Sequence, residues 1–256
     1  MDAIATSLLV AALVFAAGFA GLHLHRVVPA QHLSQDTQDV VRLGTGMMSV
    51  LASLVLGLLI ATVKTSFDAT ETSVRGYGAD LIVLDETLRD YGDTALASRR
   101  LLRNYTGLLL RDAWPDRGGD AFMVEHRDAG ELMERVRESI RALTPDPGGQ
   151  RWLMDQALEM STSLLRQRWL MIERSGPSVR PVVIGILVSW IMAIFVSFGL
   201  NAPRNAIVQA AFLVCSLAIG SSIFIVLQLD SPFAGVMRIS SQPIRTALEH
   251  MVPVGR

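Results

Sequence analysis

The sequence predicts an all-α integral membrane protein with four transmembrane helices and a helical, water-facing insertion between the second and third. Three observations carry that prediction: four charge-free runs of about 20 residues, helix-period apolar positions between them, and no sustained strand alternation. Composition agrees. Half of the 256 residues are hydrophobic and 18% are charged, whereas soluble domains carry about 25% charged residues. Formal net charge is -1 with basic and acidic residues interleaved, so no basic face gathers the charge that nucleic-acid binding needs. Cys215, the only cysteine, lies in an apolar run, which excludes an intrachain disulfide and a cysteine-based metal cluster; it reads as a small core residue.

The spans are Ala3 to Leu22, Leu43 to Val63, Pro181 to Leu200 and Asn205 to Leu229. Each has the length a helix needs to cross about 30 Å of hydrocarbon. The first has the Ala-rich character of a secretory signal, but its start carries Asp2 and no Lys or Arg, which favours a retained anchor. An even number of spans puts both termini and the long segment on one side. That side offers Lys64, Arg75, Arg174, Arg180, Arg238 and Arg245, against Arg26, Arg42 and Arg204 beside the short loops. The positive-inside rule therefore predicts cytoplasmic termini and a cytoplasmic domain in an inner or plasma membrane. The inverted topology would make the domain an extracytoplasmic sensor, and reporter fusions at Gln31 and Gly118 distinguish the two. The predicted divisions are a hairpin over 1–63, a helical domain over 64–178, a second hairpin over 179–230 and a tail over 231–256.

Within the insertion, the second span is predicted to run on as a helix to about Arg89, weakened at Gly76 and Gly78. A helix over Thr94 to Ala113 ends at Trp114-Pro115-Asp116-Arg117-Gly118-Gly119. The next, Asp128 to Leu143, places Leu132, Val136, Ile140 and Leu143 at helical spacing before Thr144-Pro145-Asp146-Pro147-Gly148-Gly149. A fourth, Gln150 to Glu173, stops at Ser175-Gly176-Pro177. In the tail, Pro243 to Met251 reads as a helix with Ser241 as its cap, placed to plug, dock or swap between subunits.

An Arg-x-Tyr triplet recurs at 14-residue spacing, as Arg75 with Tyr77, Arg89 with Tyr91 and Arg103 with Tyr105. The three arginines form either a cationic ladder facing an anion route or, the favoured reading, part of amphipathic helices whose long side chains cover a groove. No phosphate-binding Gly-rich loop, zinc-protease pattern or nucleophile elbow occurs, so an enzyme is not expected, nor a cofactor or metal. Of His23, His25, His32, His126 and His250, only His23 and His25 are closely spaced, and they read as interfacial polar residues. The spans carry no ionisable Asp, Glu, His or Arg for a proton relay, which disfavours energy-coupled transport and leaves passive conduction or none.

The second span holds two stripes. Ser49, Ser53, Gly57 and Ala61 repeat every four residues, a small-residue line that admits a neighbouring helix closely. One position on, Val50, Leu54 and Leu58 form an aliphatic line open to three uses: packing, lipid contact, or stacked rings that gate by dewetting.

The run from Ser53 to Lys64, Ser-Leu-Val-Leu-Gly-Leu-Leu-Ile-Ala-Thr-Val-Lys, resembles the pore-lining second helix of bestrophins. A second similarity is Asp230-Ser231-Pro232-Phe233-Ala234-Gly235, which looks like the turn that follows the last membrane helix in that family. The topology is also the bestrophin plan. The resemblance implies a pentamer in the lipid bilayer with one central pore, passing inorganic anions, with Val50, Leu54 and Leu58 as a hydrophobic neck. It implies a cytoplasmic vestibule in which Arg75, Arg89 and Arg103 concentrate anions, and a family turn of Asp230, Pro232, Phe233 and Gly235. The chain departs from the family in its aliphatic neck and in Thr65 to Thr70, where bestrophins are Trp-rich with an Arg. It also has no acidic cluster after Gly235, so calcium gating is not expected. The expectation from another functional class is a non-conducting scaffold or sensor whose helical domain binds a protein.

Overall fold

A computed structural model of the protein describes residues 3–24, 35–114, 127–146, 148–174, 176 and 179–251. The expectations at His25, Arg26, Gln31, His32, Pro115 to Gly119, His126, Pro147, Ser175 and Pro177 fall outside these residues. Among the described residues all regular structure is helical, in the order α1 Ala3–Leu24, α2 Gln35–Tyr91, α3 Leu96–Ala113, α4 Arg127–Arg141, α5 Gln150–Arg174, α6 Pro181–Asn201, α7 Ala206–Leu229 and α8 Gln242–His250. Four of them, α1, α2, α6 and α7, are long and apolar enough to cross a membrane. The chain divides into two compact units, residues 1–66 with 177–230 and residues 67–176 with 231–256.

In the first unit α1 packs against both α6 and α7. Glycines set how near the backbones come. A Cβ on Gly21 would lie 2.3 Å from the carbonyl oxygen of Val196, and one on Gly199 would lie 2.3 Å from that of Gly18. Gly220 brings α7 against α1 in the same way, where a Cβ would meet Ala11 Cβ at 2.8 Å and the Ser7 carbonyl oxygen at 3.0 Å. Where lipid tails are as apolar as leucine, this close van der Waals approach is what holds helices together. Ends are closed by polar groups: Asn205 Oδ1 accepts from the Val208 amide at 2.8 Å, and Arg204 Nε donates to the Leu22 carbonyl at 2.9 Å. The Asp230 carboxylate accepts from the Val179 amide at 3.2 Å, joining the approach to α6 with the end of α7.

Helix α2 is continuous for 57 residues, and neither Gly76 nor Gly78 interrupts it. Gly78 has a positive reason to be there, because a Cβ would sit 2.8 Å from the Pro243 carbonyl oxygen of the tail. The helix ends at Gly92, whose φ of +111° suits glycine, and a short 3-10 turn over Asp93–Ala95 leads into α3. The second unit is built on Tyr77, Leu81, Leu84 and Leu88 of α2, Leu102, Tyr105 and Leu109 of α3, Met133, Val136 and Ile140 of α4, and Leu164 of α5, all buried. Two polar pairs lie within it. The hydroxyls of Tyr77 and Tyr105 are 2.5 Å apart. Arg99 of α3 grips Asp85 of α2 through two bonds of 2.9 Å, with side chains 11% and 5% exposed. Burial raises the pKa of both tyrosines, and hydrogen bonding to Asp85 raises that of Arg99.

The tail docks on this unit. Helix α8 packs against α3, with Arg103 donating to the Leu248 carbonyl at 3.1 Å and also to the Met251 carbonyl, while Ile244 and Ala247 are buried. Ser241 occupies the N-cap position as expected, but its side chain makes no capping bond; its carbonyl accepts from the Arg245 amide at 3.0 Å instead. Its αR backbone differs from the extended geometry that aims a capping hydroxyl at the helix.

Candidate functional site

In the first unit α2 is the least covered of the four apolar helices. In its most apolar window 11% of residues are buried, against 33% in both α1 and α6 and 22% in α7. Of the segment 43–63, only Thr45, Ala52 and Val63 are buried. Thr45 Oγ1 lies 2.8 Å from Ser197 Oγ of α6, a polar tie in a unit otherwise held by apolar contact. On the other side of α2, Val50, Leu54 and Leu58 are 69%, 67% and 66% exposed, and Leu43 and Met47 extend the same face. Among the described residues no helix covers this line. A residue at i, i+4 and i+8 turns by about 40° per step, so the three share one face over about 12 Å of helix.

The small-residue stripe lies differently from the packing expectation within one chain. Ser49 is half-buried and its hydroxyl donates back to the Thr45 carbonyl at 2.8 Å, whereas Ser53, Gly57 and Ala61 are exposed and a Cβ on Gly57 would meet nothing. The intimate helix crossing is instead made by Gly18, Gly21 and Gly199, in helices whose many small residues hide the pair in sequence. Ser49 and Ser53 line one side of a groove of about 470 Å³ walled by Phe195, Phe198 and Phe212. Cys215, expected in a core, is exposed on this groove, which opens between α7 and residues of α2 and α6.

The three arginines of the repeated triplet are not gathered into an unpaired ladder. Arg75 donates to Glu71 at 2.6 Å, Arg89 lies 3.7 Å from Glu86, and Arg103 holds the end of α8. Their partner tyrosines, Tyr77, Tyr91 and Tyr105, are all buried. The repeat is thus an inside-outside pattern: an apolar ring goes into the core and a guanidinium remains at its edge. His23 Nδ1 is 3.0 Å from the Phe19 carbonyl oxygen of its own helix.

After α7 the turn is tight and specific. Gly235 has φ +84°, the Ala234 amide donates to the Ser231 carbonyl at 3.2 Å, and the Ile239 amide donates to the Pro232 carbonyl at 2.8 Å. Pro232 and Phe233 are buried, and Phe233 meets Trp114 edge to face at a centroid distance of 5.8 Å. The Trp114 Nε1 donates to the Ile239 carbonyl at 2.8 Å, clasping the loop from the end of α3. Trp114 counted in sequence only as the start of a loop, since its partner lies more than a hundred residues away.

Four apolar helices, a long helix with one uncovered face, and a helical unit that receives the tail define a multi-span, all-helical membrane protein. The profile described as Bestrophin-like domain matches residues 11–244. The chain belongs to the bestrophin-like family. Its fold is that of a bacterial bestrophin homologue from Klebsiella pneumoniae: a tryptophan-to-alanine variant matches with a TM-score of 0.70 at 12% identity, covering 98% of this chain and 97% of that one. A second structure of the Klebsiella pneumoniae homologue, phased on zinc, gives 0.65 at 12% identity over 96% and 97% of the two chains. A structure described as a membrane protein variant gives 0.66 at 13% identity over 96% and 97%. No curated protein matches the chain.

Proposed function

We propose that the chain is the protomer of a homo-oligomeric passive ion channel of the bestrophin type, with α2 of each copy around a central axis and Val50, Leu54 and Leu58 as its hydrophobic neck. The observation that supports this is that α2 is the least covered of the four apolar helices, 11% buried against 22–33%, with Val50, Leu54 and Leu58 66–69% exposed along one face. Stacked rings of such residues resist wetting and gate conduction at low cost in polar chemistry. The family favours a pentamer, and the charge asymmetry of the loops favours cytoplasmic termini and a cytoplasmic helical unit forming a vestibule. Anion passage, which the family resemblance implies, had its residue-level support in Arg75, Arg89 and Arg103. Arg75 and Arg89 lie beside the carboxylates of Glu71 and Glu86, whereas Arg103 binds neutral carbonyls of the tail and keeps its charge.

Single-channel current from purified protein in planar bilayers tests the proposal. Leu54→Ala is expected to change unit conductance or open probability, because shorter apolar side chains widen the dewetting constriction. A silent bilayer with verified intact oligomers would refute conduction and move the function to the non-conducting scaffold.

A further inference from the structure

The groove walled by Phe195, Phe198 and Phe212 opens at one end into polar chemistry. It shares Phe198, Ala211 and Phe212 with a second hollow of about 340 Å³, which is lined also by Arg42, Thr45, Ser197 and Asn201. Together they make one amphipathic slot between α2, α6 and α7, aromatic and aliphatic along most of its depth and cationic and hydroxylated at its mouth. The mouth lies where these helices leave their apolar runs. Arg42 directly precedes the charge-free run of α2, and Asn201 is the last residue of α6. From Thr45 to Leu56, the deepest α2 residue of the slot, is about 16 Å along the helix, close to half of a hydrocarbon core about 30 Å thick. The slot therefore has the depth of one leaflet.

Its wall is preformed. Phe195 and Phe212 are buried with ring centroids 5.8 Å apart, and Gly18 of α1 leaves room for the Phe212 ring, which a Cβ there would meet at 3.0 Å. Phe198, 47% exposed, completes the cluster at 6.4 Å from Phe195. At the mouth, donors remain to be used. Thr45 Oγ1 and Ser197 Oγ, 2.8 Å apart, share one hydroxyl proton and leave the other. Asn201 Nδ2 donates one hydrogen to the Ser197 carbonyl at 2.9 Å and keeps the second. Arg42, exposed, adds a guanidinium whose fork matches a phosphate, and the carboxylates of this end of α2, Asp36 and Asp39, are outside the lining.

An apolar chain one leaflet long, joined to an anion at the membrane surface, is the chemistry that fits this slot. We propose that it binds one anionic phospholipid per protomer, with an acyl chain against Phe195, Phe198 and Phe212 and the phosphate on Arg42 and Asn201. The site stands apart from conduction. The protein is reconstituted in vesicles of equimolar phosphatidylglycerol and phosphatidylcholine with matched acyl chains, extracted in mild detergent, checked for intact oligomers by size-exclusion chromatography, and weighed with its retained lipid by native mass spectrometry. Wild type is expected to retain phosphatidylglycerol over phosphatidylcholine by about fivefold, the preference one well-placed basic residue gives at a membrane surface. Arg42→Ala is expected to bring that ratio close to one. Ala211→Trp, which sets an indole into the slot from an exposed position, is expected to reduce retention of both lipids severalfold. Equal retention of the two lipids by wild type, or retention that either variant leaves unchanged, would overturn the proposal. Dissociation of the Ala211→Trp oligomer with lipid retention unchanged would overturn it too, and give the slot to a neighbouring copy of the chain.

Discussion

The crossing of α1 and α6 offers the sharpest structural test. Gly21→Ala would put a methyl group 2.3 Å from the Val196 carbonyl oxygen and 3.0 Å from Gly199 Cα. Both are backbone atoms within helices, so no rotamer change can relieve the contact; the helices must separate by about 1 Å to restore an ordinary distance. Overpacking of that kind costs about 1–3 kcal/mol, and the separation also loosens the contacts on either side. Gly199→Ala meets the same crossing from the other helix, with its Cβ 2.3 Å from the Gly18 carbonyl oxygen. Since one separation relieves both methyls, the double variant should be less destabilised than the sum of the singles. Gly57→Ala, whose Cβ meets nothing in the protomer, is the control and should hold or gain stability through helix propensity. Circular dichroism melts in detergent give the readout, at about 2–4 °C per kcal/mol for a chain of this size. If Gly21→Ala melts with wild type and Gly57→Ala, the glycine contact does not hold α1 to α6 and the reasoning fails.

Two further outcomes follow from the second unit. Asp85→Ala would leave the Arg99 guanidinium, 11% exposed, without its bidentate partner, at a cost of about 3 kcal/mol, whereas Asp85→Ala with Arg99→Leu should recover much of that loss; equal melting of the single and double variants would refute the pair. For Tyr77 and Tyr105, burial raises the folded pKa above the value near 10 of an unfolded tyrosine. The stability this contributes is full below about pH 10 and declines as pH climbs through the folded values, since the unfolded chain then releases protons the fold retains. Melts from pH 8 to 11.5 should therefore fall more steeply above pH 10 for wild type than for Tyr77→Phe/Tyr105→Phe. Tyr77→Phe alone, stranding the Tyr105 hydroxyl, should cost about 1–3 kcal/mol at neutral pH.

Much of the architecture was legible in the residues. A charge-free run of 20 has no favourable place except lipid, so all four spans were visible, and α2 could be followed out to about Arg89, close to its end at Tyr91, because its pattern continues without a proline. The Arg-x-Tyr repeat was visible as a spacing, but the burial of Tyr77, Tyr91 and Tyr105 came from the tertiary structure. What composition could not give was partnership. Ser53, Gly57 and Ala61 have the spacing of a packing seam and lie bare, while Gly21 and Gly199 form the true close approach of α1 and α6. Small residues permit contact, but only the placement of a second backbone makes it.

The tail shows the same division. Its helix was predictable from Pro243 and the apolar residues after it, but not that Arg103 and Trp114 would hold it to α3, since each bond joins residues more than a hundred positions apart. The sequence by itself determined the elements that local physics decides: apolar runs long enough to cross the bilayer, helix period, and the proline- and glycine-rich breaks between helices. Only the tertiary structure decided which faces are covered. It left Val50, Leu54 and Leu58 bare and set Arg103 on carbonyls of the distant tail, because burial and long-range contact depend on what the rest of the chain brings alongside.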